Sequence, residues 1–298
     1  MSEMFGMIPH TMLSYLTKEP MSKHTTFGVG GNAEYFIRVS NTNELLQIIN
    51  YCREDKLGLR YYVLGSGSNV LFSDPFNGMV IKLEGEFNNV SVDGQTVVAG
   101  AGAQLGLVVR KAAENGLTGF EFASAIPGTV GGAVSGNAGT KDEWISGVLQ
   151  SVSAVLKDGS QQTFQRSEMQ FAYRTCAIED GTCFTKAVFG LKTGVKNNIL
   201  QKIKDFALKK SLSQPLGTKN AGSIFKNPAG AFAGQLIEQA GLKGFSVGGA
   251  RISYMHANFI ENENSARAAD ILALIEIVKD KVFEKFNIKL ETEIKIVE

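Results

Sequence analysis

The chain has 298 residues, of which 44% are hydrophobic and 20% charged, with a net charge of +1. A chain of this size buries a core without disulfide or metal staples, and its near-neutral charge with no long basic run gives no footing for nucleic acid; Lys209, Lys210 and Lys219 read as a local cluster only. Three cysteines (Cys52, Cys176, Cys183) without zinc spacing, no stretch approaching a membrane span and no basic-then-apolar leader point to a cytoplasmic protein without membrane insertion, of two or three domains.

Residues up to about 24 read as an irregular or helical lead-in. A strand follows at 34–39, then a helix at 42–57 with Leu45, Leu46, Ile48, Ile49 and Cys52 on one face; Asn41 and Glu44 are spaced as a capping box. Strands are expected at 59–64, 78–83 and 90–98, the last broken by a hairpin turn at Asp93-Gly94. A helix at 105–115 ends at Gly116, and a hairpin around Asp158-Gly159 precedes a strand near 184–190. Beyond about 195 come a helix at 198–210, a polar loop, a helix near 231–240, a glycine-rich hinge (GLKGFSVGGA) and a long helix at 265–285. The long helix carries Ile271, Leu272, Leu274, Ile275, Val278 and Val282 on its buried side. The chain closes on a strand, IKLETEIKIV. Short strands interleaved with a few helices indicate an α+β fold rather than a regular βαβ repeat, with a boundary near residue 195.

The 33 glycines come in bursts, which mark sharp turns or close approach of backbone to a ligand. Gly28 to Ala33 matches G-x-G-x-x-A by letter but precedes a strand, whereas a dinucleotide fingerprint needs a helix N-terminus there. Gly65-Ser66-Gly67-Ser68-Asn69 follows an apolar strand and reads either as a hairpin turn or as a nest whose N–H groups converge on an anion. In IPGTVGGAVSGNAG at 126–139, Gly128, Gly131, Gly132, Gly136 and Gly139 alternate with small apolar residues. Such a backbone can lie flat against a bulky planar ligand and donate N–H groups to it; the alternative is a tightly packed small-residue turn.

GSGSN followed by IPGTVGGAV and NAG resembles the FAD-binding half of the MurB reductases, whose flavin-binding fold is of the PCMH type, and TTFGVGG at 25–31 resembles that family's opening segment. The resemblance extends to the last residues. It implies a PCMH-type FAD-binding domain of two subdomains over 1–194, then a smaller α+β substrate-binding domain over 195–298. By resemblance, Gly65, Ser66, Gly67, Ser68 and Asn69 hold the pyrophosphate of FAD. Pro127, Gly128, Thr129, Gly131, Gly132, Asn137, Ala138 and Gly139 lie along the flavin. No His stands in these loops, so the FAD is expected to be non-covalent.

The reaction implied is the NADPH-driven reduction of UDP-N-acetylglucosamine enolpyruvate to UDP-N-acetylmuramate, a step of peptidoglycan synthesis. Hydride reaches the vinyl carbon from flavin, negative charge flows into the substrate carboxylate, and a proton must reach the neighbouring carbon. Such chemistry needs a cation or acidic donors at the carboxylate and a proton donor on the correct face. Three motifs match the family's catalytic segments. FAYRTC at 171–176 places Arg174, a planar fork for a carboxylate; NAGSIFKNP at 220–228 places Ser223 as proton donor; LETEIKIVE at 290–298 places Glu293 near the carboxylate end. Read without the family, these are a surface arginine, a polar loop and a strand whose Glu291, Glu293 and Lys295 share an exposed face. Tyr173, Lys226, Asn227 and His256 are carried over as substrate contacts, with Asn258 beside His256.

The chain departs from the family pattern at two places: Gly139-Thr140-Lys141-Asp142, where the family usually continues NAG with Ala-Tyr-Gly, and Thr292, where proline is common. The chain's length fits the subclass lacking an extra tyrosine-bearing loop. No separate nicotinamide-binding fold is visible, so NADPH is expected to share the substrate cleft, and the enzyme is taken as a monomer. The competing readings are another PCMH-fold flavin oxidase or dehydrogenase acting on an alcohol or sugar, and a binding module without catalysis. His10, His24 and His256 show no ligand spacing for a metal hydrolase.

Overall fold

The structure, a computed structural model, describes residues 13–54, 59–73 and 75–298. His10, the start of the lead-in and residues 55–57 of the expected first helix lie outside the described residues.

The first layer is built from β1 (Tyr15–Pro20), β2 (Asn32–Val39), α1 (Thr42–Glu54), β3 (Arg60–Leu64), β4 (Val70–Phe72) and β5 (Phe76–Leu83). Its sheet runs β1-β2-β5-β3, with β1 antiparallel to β2 and the other pairs parallel. The lead-in is therefore a strand from Tyr15 onward; pairing with β2 supplies the order its own sequence does not signal. α1 starts as its capping residues dictate: Glu44 N–H donates to Asn41 Oδ1 at 3.0 Å, and Ser40 N–H donates back to the Glu44 carboxylate at 2.7 Å. Leu45, Ile48, Ile49 and Cys52 are buried, while Leu46 is only partly so.

The second layer holds β6 (Val90–Asp93), β7 (Thr96–Gly100), α2 (Leu105–Glu114), β8 (Leu117–Thr118), α3 (Val130–Ser135), α4 (Ile145–Val148), β9 (Leu149–Val155), β10 (Gln161–Gln165), β11 (Cys183–Gly190) and β12 (Lys192–Thr193). Its antiparallel sheet has the order β10-β9-β11-β7-β6. Both expected hairpins form, at Asp93-Gly94 and at Asp158-Gly159, where Asp158 Oδ1 accepts from Ser160 N–H at 2.8 Å.

The third part comprises α5 (Lys196–Ser213), α6 (Ala233–Gln239), β13 (Ser246–Val247), β14 (Ala250–Ile252), β15 (Ile260–Asn262), α7 (Ala268–Phe286) and β16 (Lys295–Val297). α7 buries Ile271, Leu274, Ile275, Val278 and Val282 on one stripe, with Leu272 at its edge. Two expectations are corrected here. The glycine-rich stretch read as a hinge is a hairpin, β13-β14, turned at Gly248-Gly249. The closing segment is a strand only from Lys295, where it runs parallel to β4; Leu290, Ile294 and Val297 are buried, a spacing that is not the alternation of a free strand. It follows the surface it packs on instead. The C-terminal core takes in Phe27, Val29 and Leu71 from the start of the chain, so the two ends of the molecule share one apolar cluster. Among the described residues no helix is long and apolar enough to cross a membrane.

Candidate active site

The loop between β3 and β4 is not a hairpin turn, because these strands do not pair: β3 lies beside β5 and β4 beside β16. Gly67 has a φ of +67°, and a Cβ there would stand 2.1 Å from the His24 carbonyl oxygen. Thr26 N–H donates to the Gly67 carbonyl at 3.0 Å and fixes the TTFGVGG segment against the loop. Among the described residues, none of the N–H groups of Ser66, Gly67, Ser68 and Asn69 donates to a protein acceptor. Four successive free donors, one of them on the buried Gly67, call for an acceptor from outside the chain.

The second glycine segment faces this loop. Ser68 Oγ donates to the Pro127 carbonyl at 3.2 Å, and Ser66 Oγ to Gln104 Oε1 at 3.2 Å. A Cβ on Gly65 would approach Thr129 Oγ1 to 2.7 Å. Beyond Thr129 the segment is not flat. Val130, Ala133 and Val134 are buried at helical spacing, Thr129 caps the turn, and α3 forms. The N–H groups of Val130, Gly131 and Ala133 are spent on Ala103, Ala101 and Thr129 carbonyls, so among the expected row the unspent backbone donors are those of Gly128, Thr129 and Gly139. Gly131 is required by Ala101 (3.1 Å from a built Cβ) and Gly139 by Glu143 and Trp144, at 2.3 and 2.8 Å. Gly132 and Gly136 are different, because a Cβ on either meets no protein atom closer than 3.5 Å. Bare backbone that the fold does not need, beside unspent N–H groups, fits a planar cofactor with a pyrophosphate. Asn137 and Ala138 serve the protein itself: Asn137 is buried, its Nδ2 donating to the Ala172 carbonyl at 3.0 Å and its Oδ1 accepting from Ser146 N–H at 3.2 Å. The Ala138 carbonyl accepts from Ile145 N–H at 2.9 Å.

The end of the site where a substrate carboxylate is expected is assembled from side chains. Tyr173 and Arg174 occupy the tip of a tight turn closed by two hydrogen bonds between Ala172 and Thr175, and Arg174 has a φ of +57°, a left-handed conformation held by its surroundings. Its Nε lies 2.9 Å from Glu293 Oε1, and its Nη1 donates to the Gly139 carbonyl at 3.1 Å. The Nε contact is an ion pair without hydrogen-bond alignment, since the buried Nε–H has no acceptor in line. The guanidinium also sits over the rings of Trp144 and Tyr173, at 5.4 and 5.5 Å from their centroids. Burial raises the Glu293 carboxyl above its ordinary range, outweighing the opposing pull of Arg174 and Lys226. So Glu293 is no member of an exposed charged face: its side chain is 19% exposed, against 77% for Glu291, which pairs with Lys226 at 3.4 Å.

Ser223 is positioned through the backbone. The Ile224 carbonyl accepts from Glu293 N–H at 2.7 Å, and Ile224 N–H donates to the Asn258 carbonyl at 2.9 Å. Among the described residues the Ser223 hydroxyl has no hydrogen-bond partner, which leaves its proton free for a ligand. Asn258 is buried and exchanges both side-chain hydrogen bonds with Phe225, so it braces this segment rather than facing a substrate. Asn69 completes the link between the two ends of the site, its Nδ2 donating to the Glu293 carbonyl at 3.2 Å. Tyr173 Oη accepts from Asn227 N–H at 3.2 Å, and Asn227 Oδ1 accepts from Ala233 N–H at 3.0 Å at the start of α6. His256 lies against that same turn, 3.0 Å from a Cβ built on Gly234; burial lowers its pKa, and its Nδ1 accepts from Asn258 N–H. The bridge between Phe225 and Thr292 spends the N–H groups of Lys226 and Glu293 and not that of Thr292, so the departure from proline there gains no bond.

A cavity of about 500 Å³ bounded by Thr42, Glu86, Ser153, Thr163 and Lys186 lies on the five-stranded sheet and shares no residue with this site. Sequence reasoning missed Trp144, the chain's single tryptophan, and Lys210, whose Nζ donates to the Ala125 carbonyl at the entry to the second loop. Lys210 falls in register with Ile199, Ile203 and Phe206, a signal that places it on the packed face of α5.

A model of the FAD binding domain matches residues 33–165, and one of the UDP-N-acetylenolpyruvoylglucosamine reductase C-terminal domain matches residues 214–297. The UDP-N-acetylenolpyruvoylglucosamine reductase of Clostridium kluyveri is 41% identical over 94% of this chain and 91% of its own. The chain belongs to the MurB family. The reductase of that name from Syntrophomonas wolfei is 39% identical over 99% of this chain and 98% of its own. The crystal structure of MurB from Thermus caldophilus superposes with a TM-score of 0.83 at 36% identity, covering 96% of this chain and 99% of that one. The α+β architecture expected from the sequence, an FAD-binding part followed by a MurB C-terminal part, is the fold of this family member.

Proposed function

We propose that the protein reduces UDP-N-acetylglucosamine enolpyruvate to UDP-N-acetylmuramate for peptidoglycan, as an FAD enzyme that consumes NADPH. The observation that carries this reading is the Arg174–Glu293 pair, 2.9 Å apart, joined through Glu293 N–H and the Ile224 carbonyl to the segment that presents Ser223. When bound, FAD supplies a two-electron carrier that accepts hydride from NADPH and passes it to the vinyl carbon.

The residues do the rest. The unspent N–H groups of Ser66 to Asn69 take the pyrophosphate, and the bare surface of Gly128, Gly132 and Gly136 admits the ring system without a covalent tether. Arg174 stabilises the charge that develops on the substrate carboxylate. Glu293, whose carboxyl burial raises above its ordinary range, stands against Arg174 at that end of the site. Ser223 delivers the proton to the carbon next to the carboxylate; a hydroxyl is a weak acid, but its acceptor is strongly basic at that moment. Tyr173 touches Asn227, Asn227 caps the turn into α6 against which His256 lies, and Lys226 precedes Asn227; the nucleotide-sugar is held along these residues. An alcohol or sugar oxidase has no use for Arg174, Ser223 and Glu293 together. In this reading the chain divides near residue 195 and works as a cytoplasmic monomer.

The test is the visible spectrum of the purified protein under anaerobic conditions. A flavin band that bleaches with NADPH and returns on adding the enolpyruvyl sugar supports the assignment. A band restored only by oxygen overturns it in favour of an oxidase.

A further inference from the structure

α5 packs on the segment Glu121–Ala125 through Ile199, Ile203, Phe206 and Lys210, which recur at helical spacing on one face. Three of these are apolar and the fourth is a lysine. Its Nζ donates to the Ala125 carbonyl, immediately before the Ile126-Pro127-Gly128 entry to the second glycine loop. Burial first, and then the nearby Arg174 guanidinium, lower its pKa to about 8. No carboxylate among the described residues pairs with it; Glu293 pairs with Arg174, and Glu121 with Lys202. A half-buried cation without an anion is costly unless a ligand supplies one.

Arg174 is itself partly engaged by the protein. Its Nη1 spends one N–H on the Gly139 carbonyl and its Nε lies against Glu293, so two of the three nitrogens of the fork already stand beside protein oxygens. The donors left for a ligand are both N–H groups of Nη2 and the second of Nη1, and a cation beside them adds to the positive charge a bound carboxylate meets. Ser124, beside Ala125, has a buried hydroxyl without a partner, a second unspent polar group at the same place.

We propose that Lys210 is a substrate-binding cation, which together with Arg174 clasps the carboxylate of the enolpyruvyl group. The proposal rests on the function proposed above and adds a residue to it. It makes Lys210 the donor that completes the grip, and α5 the element that delivers it.

The experiment uses the full-length, FAD-loaded protein and its Lys210→Met and Lys210→Arg variants. Binding of two probes is titrated through the flavin spectrum: the enolpyruvyl sugar, which carries the carboxylate, and UDP-N-acetylglucosamine, which lacks it. Lys210→Met is expected to weaken the first by roughly 10- to 100-fold, the loss of a charge-assisted hydrogen bond, and to leave the second and the rate of reduction by NADPH unchanged. Lys210→Arg is expected to recover most of the loss. Equal weakening of both probes, or no weakening, overturns the proposal. A defect confined to reduction by NADPH also overturns it, giving Lys210 to a phosphate of the dinucleotide. Should Lys210→Met lose its flavin, acetylation of the wild-type protein by acetic anhydride decides: the enolpyruvyl sugar must protect Lys210 and UDP-N-acetylglucosamine must not. A wild-type protein that neither binds nor reduces the enolpyruvyl sugar sinks the proposed function itself, whereas an active wild type matched by Lys210→Met sinks only the role of Lys210.

Discussion

The two halves of the site are made of different material. The half proposed to hold FAD is backbone: the Gly65–Asn69 loop and the turn into α3 offer N–H groups and bare glycine surface. The half proposed to meet the substrate is side chain, with Arg174, Ser223 and Glu293 brought in from three distant segments. The contrast continues among the glycines. Gly67 is demanded by the fold, because His24 and Thr25 occupy the space a side chain would need, whereas Gly132 is open on the protein side. A glycine that the fold requires and a glycine that a ligand requires look alike in the sequence. Only substitution separates them.

The largest effect is expected on the side-chain half. Ser223→Ala should slow reoxidation by the enolpyruvyl sugar about 10²- to 10⁴-fold, the usual contribution of a general acid, with reduction by NADPH nearly intact. Stopped-flow absorbance resolves the two half-reactions, and equal loss in both would erase the distinction between the halves. On the backbone half, Gly67→Ala should cost on the order of 3 kcal/mol, from left-handed strain and a built-in clash; a thermal midpoint close to the wild type would show that the loop has room after all. Gly132→Ala should act with the opposite sign. Alanine in a helix is about 1 kcal/mol better than glycine, so the apoprotein should be slightly more stable while its affinity for FAD falls. Undiminished flavin content would remove α3 from the cofactor site.

The smallest effect is a pH dependence. Burial raises the Glu293 carboxyl in the folded protein. A group raised in this way contributes stability that is fully present below its unfolded value and is lost as the pH climbs through the folded one. The wild-type protein should therefore lose stability relative to Glu293→Gln on passing from below the ordinary carboxyl value of 4.5 toward neutral pH. Parallel melting curves for the two proteins across that range would place Glu293 in solvent and not in the pocket.

Much of this architecture is legible locally. Asn41 and Glu44 announce the start of α1, Asp93-Gly94 and Asp158-Gly159 announce hairpins, and the apolar stripe of α7 announces a core helix. Where the local pattern alone misleads, the cause is shared. Tyr15–Pro20 is a strand because β2 offers it a partner, and Glu293 is buried because its segment threads between Ile224 and Asn69 before joining β4. Neither partner is near in sequence.

By itself, then, the sequence determined the places where backbone must turn tightly or stand bare, and the residue types available for charge and proton transfer, because φ preferences, caps and side-chain chemistry are local properties. The tertiary structure decided which of these meet. It closed the chain's end onto β4, set Glu293 against Arg174, spent most of the N–H groups of α3 inside the protein while leaving those of the β3–β4 loop free, and turned Lys210 inward beside Ala125. Those outcomes follow from packing between segments far apart in the chain, where burial and competition for hydrogen-bond partners override any local preference.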